Sequence, residues 1–341
     1  MIEIDGSYLE GGGQILRTAT SLSAVTKKDC RVFNIRKNRP KFGLMFQHLL
    51  GIQALSQLCN GRLEGDFLGS EEIKFYPGQT YRDRVSVNIP TAGSITLALQ
   101  TLILPALFSS TPVKITFDGG ATDTFFSPTI DYFQYAFLKI LGEIGGKVEI
   151  NILRRGYYPE GGAKVEVTIY PYHGNIKPLV LVKRGSLKKI LAVSGASEFL
   201  KDKKVSERQL AGVREVLGKL KLPVEEKVEY YQTQCPGSQI CLIAEFENTV
   251  IGVDNLGKLG KRTEDVGKEA ALELLREQKS GACLDKHLAD QILPYLVLSS
   301  GKNRVTVSEV TNHCKTNVWV IEKFTEGKFE VKDNLILWTL F

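Results

Sequence analysis

Residues 84–117 read RVSVNIPTAGSITLALQTLILPALFSSTPVKITF, and this stretch decides the fold class. The segment RVSVNI alternates polar and apolar residues, which predicts a strand with one buried face. After a glycine turn in TAGS, residues 97–110 carry apolar side chains three and four positions apart, which predicts a helix. VKITF at residues 113–117 predicts a second strand. Strand, helix and strand therefore follow one another as in an α/β unit.

The same order of elements recurs along the chain. Residues 132–146, YFQYAFLKILGEIGG, predict a second helix, and KVEINIL and AKVEVTI then predict two more strands. Residues 1–77 give the same order, from IEI through EGGGQ and two helical segments to EEIKFY. A third copy lies near the C-terminus, where DQILPYLVLSS and NRVTVSEV echo QTLILPALFSS and VKITF. We predict three repeated units, each with two helices and a four-stranded sheet.

A stretch rich in lysine and glutamate interrupts the repeats between residues 185 and 282. It carries its own helix and strand patterns, which predicts a smaller inserted α/β domain. Residues 1–184 and 283–341 then form the main domain. The predicted fold class is α+β, with the three units packed around a common axis and their helices inside, because each sheet has an apolar face to bury.

The composition is that of an ordinary globular protein. The chain has 341 residues, 43% hydrophobic and 24% charged, with a net charge of +6. This charge is compatible with a polyanionic partner and equally with an ordinary surface. No apolar run approaches the roughly 20 residues of a bilayer-spanning helix. The N-terminus starts with a strand pattern rather than a leader, so we expect a cytoplasmic protein that does not enter a membrane.

The six cysteines are scattered and form no CxxC pair. A structural zinc site is therefore not expected. Cys235 and Cys241 are close enough in sequence to be bridged, although most intracellular cysteines stay reduced.

The segment EGGGQILRT, residues 10–18, lies between a predicted strand and a predicted helix. Consecutive glycines let the backbone approach a ligand closely, and the N-terminus of the helix offers unpaired amides to an anion. Glu10 could hold a divalent ion, and Arg17 could reach a phosphate. Taken alone, a bare GGG favours the alternative of a tight structural turn.

IRKNRPKFGLMFQH, residues 35–48, puts Arg36 and Arg39 on a loop and Gln47 and His48 on the next helix. Two arginines facing a glycine turn would form a forked phosphate clamp. A solvated basic loop is the equally weighted alternative. A histidine on an apolar helix is ordinarily a core residue with its hydrogen bonds satisfied.

Two motifs in the third unit carry polar groups. HLADQ, residues 287–291, opens a helix, and its Asp290 and Gln291 offer groups that hold a ribose or an adenine edge. Gln100 begins the corresponding apolar run of the second unit and needs a partner there. HCKTN lies between a strand and a helix, where His313 can act as base, nucleophile or metal ligand.

These motifs, with GYYPEGG, form an ordered set along nearly the whole chain. In this order and at these separations, the set resembles the RNA 3′-terminal phosphate cyclase family. The resemblance implies an enzyme that uses ATP and Mg²⁺ or Mn²⁺ to convert an RNA 3′-phosphate into a 2′,3′-cyclic phosphate. The implied route passes through a histidine–AMP intermediate and an RNA-adenylate. RNA with a 3′-terminal phosphate is the implied partner, and the oligomeric state, monomer or homodimer, stays open.

The resemblance also implies a role for individual residues. It makes His313 the nucleophile and Glu10 the metal carboxylate. It assigns the handling of phosphates to Arg17, Arg36, Arg39, Gln47 and His48. It assigns the nucleotide pocket to Gln100, His287, Leu288, Ala289, Asp290 and Gln291.

The chain departs from the family pattern in two places. His287 stands where many relatives have an aromatic residue, which puts adenine stacking there in doubt. The loop GGATDTFFSPTID differs from the proline-rich version in the family. Its Phe125 and Phe126 could stack on RNA bases or cap the pocket, and we expect capping.

Three rival functions compete with the cyclase. A non-catalytic cyclase-like ribosome-assembly factor keeps the fold and lacks the nucleophile, so the presence of His313 argues against it. An enolpyruvyl transferase shares the repeat architecture but has no use for an attacking histidine. A plain RNA-binding module would need an aromatic sheet surface or a basic arm, and the sequence suggests neither.

Overall fold

A computed structural model describes residues 1–173, 176–220, 222–299 and 301–340. The fold is a mixed α/β arrangement with four small mixed sheets. Among the described residues, no helix is both long enough and apolar enough to cross a bilayer. The helices are α1 (Gly13–Thr26), α2 (Phe46–Leu58), α3 (Ile95–Ala106), α4 (Ile130–Tyr132), which continues through a π-helical turn (Phe133–Phe137) into α5 (Leu138–Glu143), α6 (Val205–Leu217), α7 (Thr263–Lys279), α8 (Lys286–Leu296) and α9 (Asn312–Phe324).

Each sheet has four strands, which are named below in their spatial order across the sheet. The first sheet contains β1 (Ile2–Asp5), β2 (Cys30–Phe33), β4 (Ile73–Tyr76) and β3 (Arg62–Glu64). The second contains β5 (Arg84–Ser94), β6 (Val113–Ala121), β8 (Lys164–Tyr170) and β7 (Lys147–Arg154). The third contains β9 (Val180–Leu181), β14 (Asn303–Thr306), β16 (Leu335–Leu340) and β15 (Gly327–Lys332). The fourth contains β11 (Val224–Tyr231), β10 (Leu187–Ser197), β12 (Ser238–Phe246) and β13 (Val250–Leu256).

All four sheets share one pattern of strand pairing. In each, the first two strands are parallel and the remaining two pairings are antiparallel. The third sheet takes β9 from before residue 185 and its other strands from after residue 282. The arrangement of three units about a common axis stays a prediction.

The helices of the main body pack on one another. Helix α1 contacts α2, α3 and α9, and α8 contacts α3 and α9. Along β5 and β8, buried and exposed side chains alternate, so each strand turns one face to the helices and the other to solvent. This packing brings the N-terminal ends of several helices into one region, where a large cleft forms.

Residues 187–220 and 222–279 form the fourth sheet with α6 and α7, and the central strands β10 and β12 are buried on both faces. Ile190 and Leu242 belong to a separate core with α6 and α7. The alternate residues Leu191 and Ile243 belong to the core of the main body. Successive side chains of a strand point to opposite faces of the sheet, so this sheet packs on one core with each face. The domain boundaries at 184/185 and 282/283 stay a prediction, and all six cysteines, Cys235 and Cys241 included, are buried free thiols.

Two sequence-based boundaries are wrong. The predicted glycine turn in TAGS belongs to β5, which runs to Ser94 with an irregular register after Ile89. Residues 313–317 do not form a connection, because α9 already begins at Asn312 and Thr311 caps it by accepting a hydrogen bond from the Cys314 amide. His313 is therefore held in the first turn of a helix.

A buried ionic cluster connects the main body to the fourth sheet. The Arg155 side chain is 4% exposed and lies 3.2 Å from Asp123. Its Nη1 also donates to Asp131 Oδ2 over 2.9 Å, and Gln239 of β12 donates to the same oxygen over 3.0 Å. Ions removed from water are tolerable only when they are paired and hydrogen-bonded. Arg155 therefore holds two carboxylates that would otherwise be uncompensated.

Replacing Arg155 with alanine should lower the free energy of unfolding by about 3–5 kcal/mol, because both aspartates would remain buried without a cation. Urea denaturation of the full chain measures this change. Lys189→Ala is the control, since its ion pair with Glu225 over 2.7 Å is exposed to solvent and should contribute much less to stability. Equal losses in the two variants would contradict the assignment.

Candidate active site

A cleft of about 1590 Å³ opens where the N-terminal ends of α1, α2, α3, α8 and α9 come together. Most of the predicted site residues line it: Glu10, Arg17, Arg36, Arg39, Gln47, His48, Gln100, His287, Asp290, Gln291 and His313. Leu288 and Ala289 do not line it. Both are 0% exposed and pack in the hydrophobic core, on the side of α8 that faces away from the cleft.

His313 lies between two carboxylates. Its Nε2 is 2.9 Å from Glu10 Oε2, and its Nδ1 is 3.3 Å from Asp290 Oδ2. The side chain is 41% exposed, so the ring is open to the cleft. The hydrogen bond to Asp290 is the main reason that the pKa of His313 is raised above its ordinary value, against the opposing effect of burial. Removing a proton from this ring therefore becomes easier when one of the two carboxylates changes its partner.

Hydrogen bonds between helices fix Asp290 in place. The Asn317 side chain donates to the Asp290 carbonyl over 2.7 Å and accepts from Thr18 Oγ1 over 2.7 Å. Gln14 Nε2 lies 3.2 Å from the carbonyl oxygen of His313 and 3.4 Å from Asp290 Oδ2. These contacts join α1, α8 and α9 at the histidine. None of these three supporting residues was predicted from the sequence, although each stands inside the EGGGQILRT or HCKTN motif.

Glu10 offers the carboxylate expected for a metal ion. Its Oε2 accepts from Arg39 over 3.0 Å and lies 2.9 Å from His313 Nε2, and its side chain is 36% exposed at the cleft. Over the described ranges, no group of three or more His, Cys, Asp or Glu side chains could hold a metal ion. Mg²⁺ is commonly bound by one or two carboxylates together with substrate phosphates and water. A single exposed carboxylate beside a phosphate site fits that kind of binding.

The glycines of the EGGGQ turn allow another side chain of the same molecule to approach the backbone closely. Gly11 has φ +57°, a left-handed conformation that favours glycine. A Cβ atom on Gly13 would clash with Nε2 of His48, so the imidazole ring packs directly on the backbone. The structural interpretation of this turn therefore holds, and the turn still contributes Glu10, Gly12 and Gly13 to the cleft.

His48 is a neutral, buried residue of the cleft wall. It is 4% exposed, and its Nδ1 accepts a hydrogen bond from the Met45 amide over 3.3 Å. Burial, with the nearby charges of Arg17 and Arg36, lowers the pKa of His48 to about 3. At neutral pH His48 therefore adds no positive charge, and any contact it makes with a phosphate depends on hydrogen bonding alone.

Three arginines supply part of the positive charge of the cleft. Burial lowers the pKa of Arg17 to about 10, which leaves the guanidinium charged at neutral pH. Arg36 has φ +59° and donates to the Lys41 carbonyl over 3.1 Å. Arg39 is paired with Glu10. Three guanidinium groups, from α1 and from the loop before α2, therefore face one cleft, which suits an anion of several charges.

Several buried polar atoms of cleft residues have no partner among the described residues: Arg39 Nε, Gln291 Oε1 and the Tyr295 hydroxyl. Buried polar groups are nearly always hydrogen-bonded in folded proteins. A donor from arginine, an acceptor from an amide and a phenol are groups that bind phosphates, sugars and base edges.

The expectation that Phe126 caps the pocket is wrong. Phe126 lines the cleft, but it is 102% exposed and covers no part of the chain. Phe125 is 39% exposed and packs edge-on against Tyr158, with ring centroids 6.0 Å apart. The reason lies in the loop, which holds Phe126 at φ +64° and points its ring away from the core.

Comparison with known proteins agrees with this geometry. A family model described as RNA 3′-terminal phosphate cyclase matches residues 8–331. The chain belongs to the RNA 3′-terminal phosphate cyclase family. It is 46% identical to the protein named RNA 3′-terminal phosphate cyclase of Pyrococcus abyssi, over 97% of this chain and 95% of that protein. It is 42% identical to the protein of the same name from Archaeoglobus fulgidus, over 99% of both. The family resemblance seen in the motifs is therefore confirmed.

Replacing Asp290 with asparagine should lower the pKa of His313, because the carboxylate that favours the imidazolium is lost. An NMR titration of the His313 ring in metal-free protein measures the change. His173→Gln, outside the cleft, removes one of the four histidine signals and helps to assign the spectrum. An unchanged or raised pKa in Asp290→Asn would contradict the described contact.

Proposed function

We propose that this chain is an ATP-dependent RNA 3′-terminal phosphate cyclase. It would convert an RNA 3′-phosphate into a 2′,3′-cyclic phosphate and release AMP and pyrophosphate. Membership of the family and the names of its relatives support this activity. The observation that carries the mechanism is the exposed His313 ring, held by two carboxylates in a cleft lined with arginines.

In the first step, the neutral His313 imidazole attacks the α-phosphorus of ATP. A nitrogen–phosphorus bond forms, the bond to the bridging oxygen of the β-phosphate breaks, and pyrophosphate leaves. Asp290 accepts a hydrogen bond from Nδ1–H, which leaves Nε2 as the attacking nitrogen. Nε2 must first separate from Glu10, so this step requires Glu10 to take another partner.

In the second step, an oxygen of the RNA 3′-phosphate attacks the phosphorus of the His313-bound AMP. The nitrogen–phosphorus bond breaks, His313 regains its lone pair, and an RNA-adenylate forms. In the third step, the neighbouring 2′-hydroxyl attacks the activated 3′-phosphorus, loses its proton and displaces AMP. Both reacting groups belong to one ribose, so proximity is already part of the substrate.

The charged residues divide the remaining tasks. Glu10 would hold Mg²⁺ or Mn²⁺, which supplies neutralisation of phosphate charge when bound. Arg17, Arg36 and Arg39 would bind the phosphates, with Gln47 and His48 as hydrogen-bonding neighbours. Gln100, His287 and Gln291 would bind the nucleoside part of ATP, because they line the same cleft beside Asp290.

Incubation with α-labelled ATP and Mg²⁺ should leave an acid-labile, alkali-stable label on the protein. His313→Ala should abolish the label, because the imidazole that attacks phosphorus in the proposed mechanism is lost. His173→Ala, a histidine outside the cleft, is the matched control and should label normally. A labelled His313→Ala protein would rule out the mechanism, and an unlabelled parent protein would favour a non-catalytic relative.

Glu10→Ala should slow metal-dependent labelling by about a hundredfold, because the stabilisation of phosphate charge by the ion is lost. A Mg²⁺ titration of the labelling rate measures the effect. Glu143→Ala, at the exposed end of α5, is the control for removal of a carboxylate. Equal rates for Glu10→Ala and the parent at every Mg²⁺ concentration would remove Glu10 from the site.

A further inference from the structure

The loop of residues 122–129 presents an aromatic ring to solvent at the cleft. Phe126 is 102% exposed and has φ +64°, a conformation that is strained for a phenylalanine. Tyr158, 58% exposed, also lines the cleft, and its ring makes an edge-to-face contact with Phe125. An isolated exposed apolar residue needs no explanation. An exposed phenylalanine with a strained backbone, in a region with two further exposed aromatic residues, indicates a binding surface.

Both ends of this loop are firmly attached, so the exposure of Phe126 is a property of a fixed loop. At one end, Thr122 Oγ1 donates to the Gly156 carbonyl over 3.1 Å, and Asp123 pairs with Arg155. At the other end, the Thr129 amide donates to Asp254 over 2.6 Å, and Thr96 Oγ1 donates to the Pro128 carbonyl over 2.8 Å. The folded chain therefore holds the ring in solvent.

The cleft is larger than one small ligand requires. Its volume of about 1590 Å³ exceeds the roughly 300–1,000 Å³ that is typical for a single ligand pocket. Besides the arginines, Lys41, Lys286 and Lys315 line it. Lys286 is paired with Glu273, whereas Lys41 and Lys315 complement a polyanion, so the cleft has room and charge for a nucleic acid strand as well as a nucleotide.

We propose that Phe126 stacks on a base within the last two nucleotides of the RNA substrate. Aromatic rings stack on every base, which gives affinity with little sequence preference. The cations would bind the neighbouring phosphates, and the stacked base would direct the 3′-phosphate into the cleft. This inference rests on the proposed cyclase function and adds the residues that recognise its RNA.

The first test separates the step that needs no RNA from the steps that do. Phe126→Ala should raise the KM for a 3′-phosphorylated RNA about tenfold, the loss expected for one stacked base. Self-labelling with ATP should stay within about twofold of the parent. Phe126→Tyr should behave like the parent, and Phe126→Leu should behave like Phe126→Ala, because leucine keeps apolar area but has no ring face.

Phe67→Ala is the matched control, because Phe67 is 63% exposed and does not line the cleft. It should leave the KM for RNA unchanged. A tenfold rise in the KM for ATP in Phe126→Ala would overturn the inference, since the ring would then contact adenine. An unchanged KM for RNA would also overturn it.

The second test removes the base instead of the ring. An RNA with an abasic residue at the last or the penultimate position should raise the KM about tenfold for the parent. The same RNA should cause no further loss for Phe126→Ala, because the two partners of one contact are not additive. Additive losses at both positions would overturn the inference. Failure of ATP labelling in the parent would instead contradict the proposed function, so the two failures are distinguishable.

Discussion

The contact of one imidazole with two carboxylates governs the chemistry of this cleft. His313 lies 2.9 Å from Glu10 and 3.3 Å from Asp290, and the two acids come from opposite ends of the chain. Two negative neighbours favour the protonated ring, which is not nucleophilic. In the proposed mechanism, His313 can attack only after Glu10 has taken another partner. A cation held by Glu10 would be such a partner and would free Nε2.

The basic residues around this contact differ in charge at neutral pH. Arg17 keeps its charge despite burial, whereas His48, packed on Gly13, is neutral. Arg39 pairs with Glu10, and its buried Nε has no partner among the described residues. The positive charge of the cleft comes from guanidinium groups, which stay charged at every physiological pH, and from Lys41, Lys286 and Lys315. The proposed mechanism needs a neutral nitrogen only at His313.

The fourth sheet contributes to the cleft without supplying the nucleophile. Asp254 on β13 fixes the amide of Thr129, and Gln239 on β12 joins the ionic cluster around Arg155. Both contacts support the loop that carries Phe126. The segment that interrupts the repeated pattern therefore has a structural connection to the rim of the site. The segment also has a separate core with α6 and α7.

The sequence by itself determined most helices and strands, most of the cleft residues and the family, because hydrophobic period and ordered motifs are local properties of the chain. It did not determine that β9 joins β14 across the insert, since two residues carry no readable period. It also did not reveal Gln14, Thr18 and Asn317 as supports of Asp290, or the exposure of Phe126. Hydrogen bonds between helices far apart in sequence, and the direction in which a fixed loop points a ring, arise only from tertiary packing.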